Sequence, residues 1–228
     1  MHPLRQLHRR RRFGVLTLSS PGATSQAMSD IKTVCVYCGS GPGTDPRFME
    51  AATAFGKELA DNGVALVYGG GSVGLMGAVA TSVLDNGGQV TGIIPGFLRD
   101  KELALKRVQE LIVTDDMHER KRLMFERSDA FVALPGGIGT LEELVEQLTW
   151  QQLGRHKKPI LIANIANFWE PLMALFAHMR DTAFIRPKLA VDILQADNVG
   201  DILPKLREAA APQPEPAKQM PPEIAARL

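Results

Sequence analysis

The chain has 228 residues, 45% hydrophobic and 22% charged, enough for one sizeable α/β core and short for two. The formal charge of +1 hides an asymmetry: residues 1–27 hold five arginines and no acid, so the remaining 201 carry 21 basic against 25 acidic groups, or −4. A mildly acidic folded part argues against nucleic acid as a partner, and no run approaches the roughly 18 consecutive apolar residues of a membrane span.

The leader carries Arg5, Arg9, Arg10, Arg11 and Arg12 but neither the long apolar run nor the cleavage pattern of a secretory signal. Its composition is that of a transit peptide; the alternative is a disordered or mis-assigned extension before Met28, which the start of the periodic pattern at Ile31 favours. The expected organisation is therefore an extension over 1–27, a single domain over 28–210 and a Pro-rich, disordered tail over 211–228, which holds five prolines.

The first strand is expected within Ile31–Ser40. It contains Cys35 and Cys38, which a period of two sends to opposite faces of the sheet. A redox pair wants the helix N-terminus after the strand, and a zinc site wants two further ligands, so both cysteines read as small buried hydrophobes in a reducing, cytoplasmic setting. A helix over Phe48–Asp61 and a strand over Val64–Tyr68 follow. The strand runs into Gly69-Gly70-Gly71-Ser72-Val73-Gly74, a G-x-G-x-x-G in strand-to-helix context. A dinucleotide site also wants an acid about 20 positions on, and the third strand, Gln89–Ile94, offers none. A mononucleotide phosphate or sugar fits better than NAD, and a tight strand-helix turn is the plainer alternative.

Residues 97–110 are charged and helix-compatible, and a short strand over Leu111–Val113 leads to Asp115-Asp116, which can cap a helix over Met117–Arg127. At 100° per residue, Met117, Arg120, Lys121, Met124 and Ser128 share one face while Glu119, Arg122 and Glu126 share the opposite one. Two cations thus lie on the stripe that should face protein, where a guanidinium costs several kcal/mol unless an anion meets it. Either a structural ion pair or a ligand phosphate, with Glu143 in reach, would answer that cost.

Phe131-Val132-Ala133-Leu134 then reads as a strand buried on both faces, breaking at Pro135 and looping through Gly136, Gly137 and Gly139. Thr140 is the expected N-cap, and Leu141, Leu144, Val145 and Leu148 form the apolar stripe of the next helix. Free amides and the positive dipole end would point at a ligand above the sheet, which favours phosphate. Glu143 sits there too. Thr140-x-x-Glu143 can be a capping box, with the carboxylate folded back on the cap; the alternative is a carboxylate aimed at chemistry. A strand over Lys158–Ala163, a helix over Phe168–Arg180 capped by Asn167, a strand over Val191–Leu194 and a helix after Asn198 complete the pattern. Strands alternating with helices imply an α/β fold: a Rossmann-like, doubly wound parallel sheet with helices on both faces and ligands at the strand C-termini.

Pro135-Gly136-Gly137-Ile138-Gly139-Thr140-Leu141-Glu142-Glu143 matches the P-G-G-x-G-T-x-x-E signature of the LOG family, the cytokinin riboside 5′-monophosphate phosphoribohydrolases once labelled lysine decarboxylases. Met117-His118-Glu119-Arg120-Lys121 resembles that family's M-H-x-R-K segment, and Tyr68 to Gly77 its first glycine loop, so the resemblance spans roughly 31–208. It implies a homodimer that cleaves the N-glycosidic bond of an N6-modified AMP, with Arg120 and Glu143 as the catalytic pair. It also implies that Lys121, Gly137, Ile138, Gly139, Thr140, Leu141 and Glu142 line the nucleotide, with Thr149 and Glu102 at further contact positions. Gly39 and Ser40, and Gly70, Gly71 and Ser72, are the remaining substrate contacts expected from the glycine loops. The chemistry needs no metal or cofactor: the five histidines form no ligand spacing, and no lysine sits in a recognisable pyridoxal setting. Neither nucleic acid nor membrane is expected as a partner.

Overall fold

A computed structural model of the chain describes residues 31–99, 103–185 and 193–211. The extension, the Pro-rich tail beyond residue 211 and Glu102 therefore lie outside the described residues. Seven strands form one fully parallel sheet: β1 (Thr33–Tyr37), β2 (Ala65–Tyr68), β3 (Val90–Pro95), β4 (Glu110–Thr114), β5 (Ala130–Ala133), β6 (Ile160–Ala163) and β7 (Ile193–Ala196). Their spatial order is β4-β3-β2-β1-β5-β6-β7, so the chain builds outward from β1 in one direction and then restarts beside it at β5. The register pairs Val34 with Ala130 and Val36 with Val132. Asp129 pins the start of that pairing by accepting hydrogen bonds from the amides of Lys32 (3.0 Å) and Thr33 (2.9 Å).

The helices are α1 (Pro46–Asp61), α2 (Gly74–Asp85), α3 (Gly96–Arg99), α4 (Met117–Glu126), α5 (Ile138–Gln152), α6 (Glu170–Asp181) and α7 (Ile202–Ala210). Strand residues alternate between two apolar clusters, as a sheet covered on both faces requires. Val34, Val36, Cys38, Leu66 and Val132 join Phe55, Leu59, Val79 and Leu206 on one side. Cys35, Tyr37, Val67, Phe131 and Ile162 join Met124, Leu144, Leu148 and Phe176 on the other. The two cysteines thus face opposite layers as expected, although Cys38 lies one residue beyond the strand. Both are free thiols.

Three local expectations are corrected. The charged segment after β3 yields only one turn of helix, α3, and the described residues up to β4 are turns and an isolated bridge from Ala104 to Gly71. Charge content alone does not make a helix without an apolar stripe to bury. Asn167 does not cap α6: Ala166 (φ 53°) and Asn167 (φ 61°) are left-handed and end a 3-10 turn over Ile165–Asn167, so α6 starts at Glu170. Val191 and Asp192, where the last strand is expected to begin, lie outside the described residues, and β7 is described from Ile193. Finally, α5 starts two residues before Thr140, with Gly137 at its cap and no side-chain cap bond.

Candidate active site

Where the strand order reverses, β1 leads to α1 on one face of the sheet and β5 to α5 on the other, and a crevice lies at the strand ends, the usual ligand position in an open parallel sheet. The crevice encloses about 310 Å³ and is lined by the β1 end (Val36, Cys38, Gly39, Ser40), Gly69, Met76, Leu98, Met117, Arg120 and the start of α5. From α5 come Gly137, Ile138, Gly139, Thr140, Glu142 and Glu143.

Each wall follows from local sequence. Helix α4 is started firmly by Asp116, whose carboxylate accepts from the Glu119 amide at 2.8 Å, and this sets Arg120 one turn in and facing the sheet. Arg120 is 6% exposed. The opposite face carries Arg122 and Glu126 in an exposed pair at 2.9 Å, as the helical wheel requires. Helix α5 brings in Glu143, 8% exposed, and places its Oε1 3.2 Å from Arg120 Nη2. The capping-box alternative for Glu143 is thereby excluded: Thr140 is already inside the helix, and the carboxylate meets a guanidinium from another element. The buried face of α5 is Thr140, Glu143, Leu144, Gln147 and Leu148, whereas Val145 is 39% exposed. Relative to the stripe read from leucines and valine, the helix is rolled so that polar residues look into the crevice.

The guanidinium is held tightly and satisfied thinly. Nη1 donates to Met117 Sδ at 3.7 Å, while Nε is buried without a hydrogen-bond partner among the described residues. A stability device would be better satisfied than this, because an unpaired buried donor costs about 1–3 kcal/mol. At the mouth of the crevice the first amides of α5 have no intrahelical acceptor by construction, and Gly137 and Gly139 have open space where a side chain would be. The site therefore joins an anion-binding helix end to a buried carboxylate and guanidinium. Burial pushes the Cys38 thiol well above its ordinary range, with the nearby Glu143 carboxylate adding to it, so this lining cysteine is a neutral, inert surface.

Of the residues expected to contact substrate, Gly39, Ser40, Gly137, Ile138, Gly139, Thr140 and Glu142 are gathered here with Arg120 and Glu143. Others are placed elsewhere. Lys121 turns to the α5 acids, 2.6 Å from Glu142 and 3.0 Å from Glu146. Burial opposes its charge, but the hydrogen bonds it donates to those two carboxylates hold the ammonium above its usual pKa. Leu141 is half-buried against the core cluster of Phe131 and Leu144. Thr149 bonds the Val145 carbonyl at 2.8 Å and lines a separate depression between α5 and α6. Gly70 and Gly71 are engaged with the following segment: the Gly70 carbonyl accepts from the Leu105 amide at 3.0 Å, and Gly71 bridges Ala104. Ser72 faces the far side of that loop, beside Arg99 and Lys106.

The first glycine loop, moreover, is not a second phosphate cradle. The α2 amides of Leu75 and Met76 both donate to the Gly39 carbonyl, at 3.0 and 3.3 Å. Its glycines serve close packing, the plainer of the two readings. Sequence reasoning missed Val36, Cys38, Gly69, Met76, Leu98 and Met117 as lining residues. Met117 was signalled by its place on the Arg120 stripe; Leu98 lies in a segment with no pattern to read.

Three comparisons bear on this arrangement. A family model described as "Possible lysine decarboxylase" matches residues 76–206. The Oryza sativa subsp. japonica protein named "Probable cytokinin riboside 5′-monophosphate phosphoribohydrolase LOGL1" is 46% identical over 175 residues, covering 77% of this chain and 78% of that protein. The Arabidopsis thaliana cytokinin riboside 5′-monophosphate phosphoribohydrolase LOG7 is 42% identical over 183 residues, covering 80% and 84%. Among solved structures, the molybdenum cofactor carrier protein of Chlamydomonas reinhardtii superposes with a TM-score of 0.60 at 22% identity, over 80% of this chain and 100% of that one. At that identity the likeness speaks for the fold alone.

Proposed function

This chain belongs to the LOG family of cytokinin riboside 5′-monophosphate phosphoribohydrolases, and from that premise we propose that it hydrolyses the N-glycosidic bond of an N6-modified AMP, releasing free base and ribose 5-phosphate. The observation that carries the reading is the buried contact between Arg120 and Glu143, 3.2 Å apart, drawn from two helices into one crevice beneath an uncapped helix end. The α5 amides hold the 5′-phosphate and orient the sugar, so binding energy remote from the reacting bond is used at it. Breaking C1′–N9 makes the sugar oxocarbenium-like. Glu143 stabilises that charge and takes the proton of the water that attacks C1′. Negative charge grows on the departing purine, and Arg120 meets it with a hydrogen bond; a guanidinium is too weak an acid to protonate the base at pH 7.

The decarboxylase description fits poorly. Such chemistry by way of pyridoxal wants a lysine able to form a Schiff base, no lysine among the described residues lines the crevice, and Lys121 is held as a charged ammonium by two acids. The protein acts in the cytoplasm as a homodimer. Free, buried cysteines support the first statement. The second is supported by apolar side chains on the α5–α6 flank, where Leu153 is 69%, Leu175 46% and Phe184 86% exposed.

Incubation with AMP and with N6-isopentenyl-AMP, following ribose 5-phosphate, tests the reading. Release mainly from the N6-modified nucleotide supports it. Release mainly from AMP makes the protein a general nucleotide nucleosidase, and tight binding without any product makes it a nucleotide sensor.

A further inference from the structure

We propose that Gly69 is a positioning residue for Arg120: its missing side chain is the seat that holds the guanidinium against Glu143. The inference rests on the hydrolase reading above. Gly69 opens the glycine loop after β2, where such a residue is ordinarily explained by backbone conformation. That explanation fits its neighbours Gly70 (φ 83°) and Gly74 (φ 60°), but Gly69 itself is not in the left-handed region.

What the position demands instead is space. A Cβ at Gly69 would lie 2.5 Å from Arg120 Nη2, 3.6 Å from its Cζ and 3.0 Å from Met76 Sδ. Nη2 is the nitrogen that contacts Glu143 Oε1 at 3.2 Å, while Nη1 rests on Met117 Sδ from the other side. The guanidinium thus lies against Gly69 and Met117, with Nη2 turned to the carboxylate. No backbone atom is among those three nearest atoms, and all three lie at or near the far ends of flexible side chains. Alanine is therefore accommodated by moving the guanidinium, not the fold. A shift of about 1 Å at a reacting group can cost about 10²-fold in rate.

The test is Gly69→Ala in the full chain, alone and combined with Arg120→Gln, assayed on N6-isopentenyl-AMP, with melting temperatures and a crystal structure of the single variant. We expect kcat to fall about 10²-fold with KM within about threefold, because the displaced group acts on the leaving base and not on the bound phosphate. Melting should move by only a few degrees. In the Arg120→Gln background the same change should cost less than about threefold, since residues that act through one another are not additive. A purely structural role would lower stability and keep its cost in both backgrounds. Full activity in Gly69→Ala, or an undiminished loss on top of Arg120→Gln, overturns the proposal. Should the wild-type chain release no ribose 5-phosphate, the hydrolase reading fails by itself. The crystal structure then judges the seat: a guanidinium unmoved from Glu143 in Gly69→Ala overturns it.

Discussion

The N-termini of α2 and α5 look alike in sequence, each a glycine-rich loop between a buried strand and a helix, yet they do opposite things. At α2 the loop is folded onto the protein itself: Leu75 and Met76 give their amides to the Gly39 carbonyl. Gly74, at φ 60°, would put a Cβ 2.4 Å from the Ser40 carbonyl carbon, and Gly77 would put one 2.0 Å from the Ser72 oxygen. At α5 no side chain caps the helix, and Gly137 and Gly139 face open space above Glu143. Glycine in the first loop brings the chain's own backbone together; glycine in the second leaves room for something else. A glycine motif therefore reports close approach, and only the surroundings say whether a ligand or the protein makes it.

Substitutions can break or sharpen that contrast. The largest effect should come from Glu143→Gln on the α5 side, which keeps the shape and removes the charge: kcat for N6-isopentenyl-AMP should drop by at least about 10³-fold in a chain that still folds, a loss far beyond a missing helix cap, and the melting temperature should fall because Arg120 is left buried without its anion. Next is Gly74→Ala on the α2 side, forced into the left-handed region against backbone; denaturant unfolding should show a loss of about 3 kcal/mol or more. Equal tolerance of Ala at 74 and 139 would erase the distinction. Gly139→Ala should leave folding intact, or raise stability by up to about 1 kcal/mol as a helix substitution, yet weaken nucleotide binding about tenfold, measurable by calorimetry with AMP.

The smallest effect lies at the far end of α5. His156 accepts the Lys158 amide at Nδ1 (3.2 Å), so its Nε2–H faces the Gln147 carbonyl (3.2 Å) and the ring is neutral. Burial, ahead of the nearby Lys158 charge, lowers its pKa. The unfolded chain then takes up the proton first, so stability present above the ordinary histidine pKa is lost as pH falls through it. His156→Gln should flatten that slope in urea midpoints between pH 7 and 5, while nucleotide affinity at the α5 N-terminus stays equal to wild type at each pH.

Much of this was legible beforehand because it rests on periodicity. The alternation of strands and helices gave the parallel sheet, and the wheel of α4 put Arg120 among methionines and left Arg122 and Glu126 to solvent, as found. The misses share a cause: periodicity fixes an element's direction but not its roll or its neighbours. Adjacent Arg120 and Lys121 shared a stripe, yet only the first faces the crevice, because Glu142 and Glu146 on the neighbouring helix capture the second. The roll of α5 that buries Glu143 and Gln147 and exposes Val145 comes from fitting the helix beside β1 and α4, which no window of its own residues encodes. Thr140 looked like a cap because its type suits one; its hydroxyl instead sits against Gly136, where a Cβ would approach it to 2.2 Å.

The central claim is that the open end of α5 holds a phosphate so that the sugar-base bond lies at Arg120 and Glu143. The most direct measurement compares kcat/KM of the wild-type chain on N6-isopentenyl-AMP and on the nucleoside lacking the phosphate. The account predicts at least about a 10³-fold advantage for the nucleotide, expressed in kcat as well as KM because the phosphate orients the reacting bond. Comparable rates on the two would contradict it.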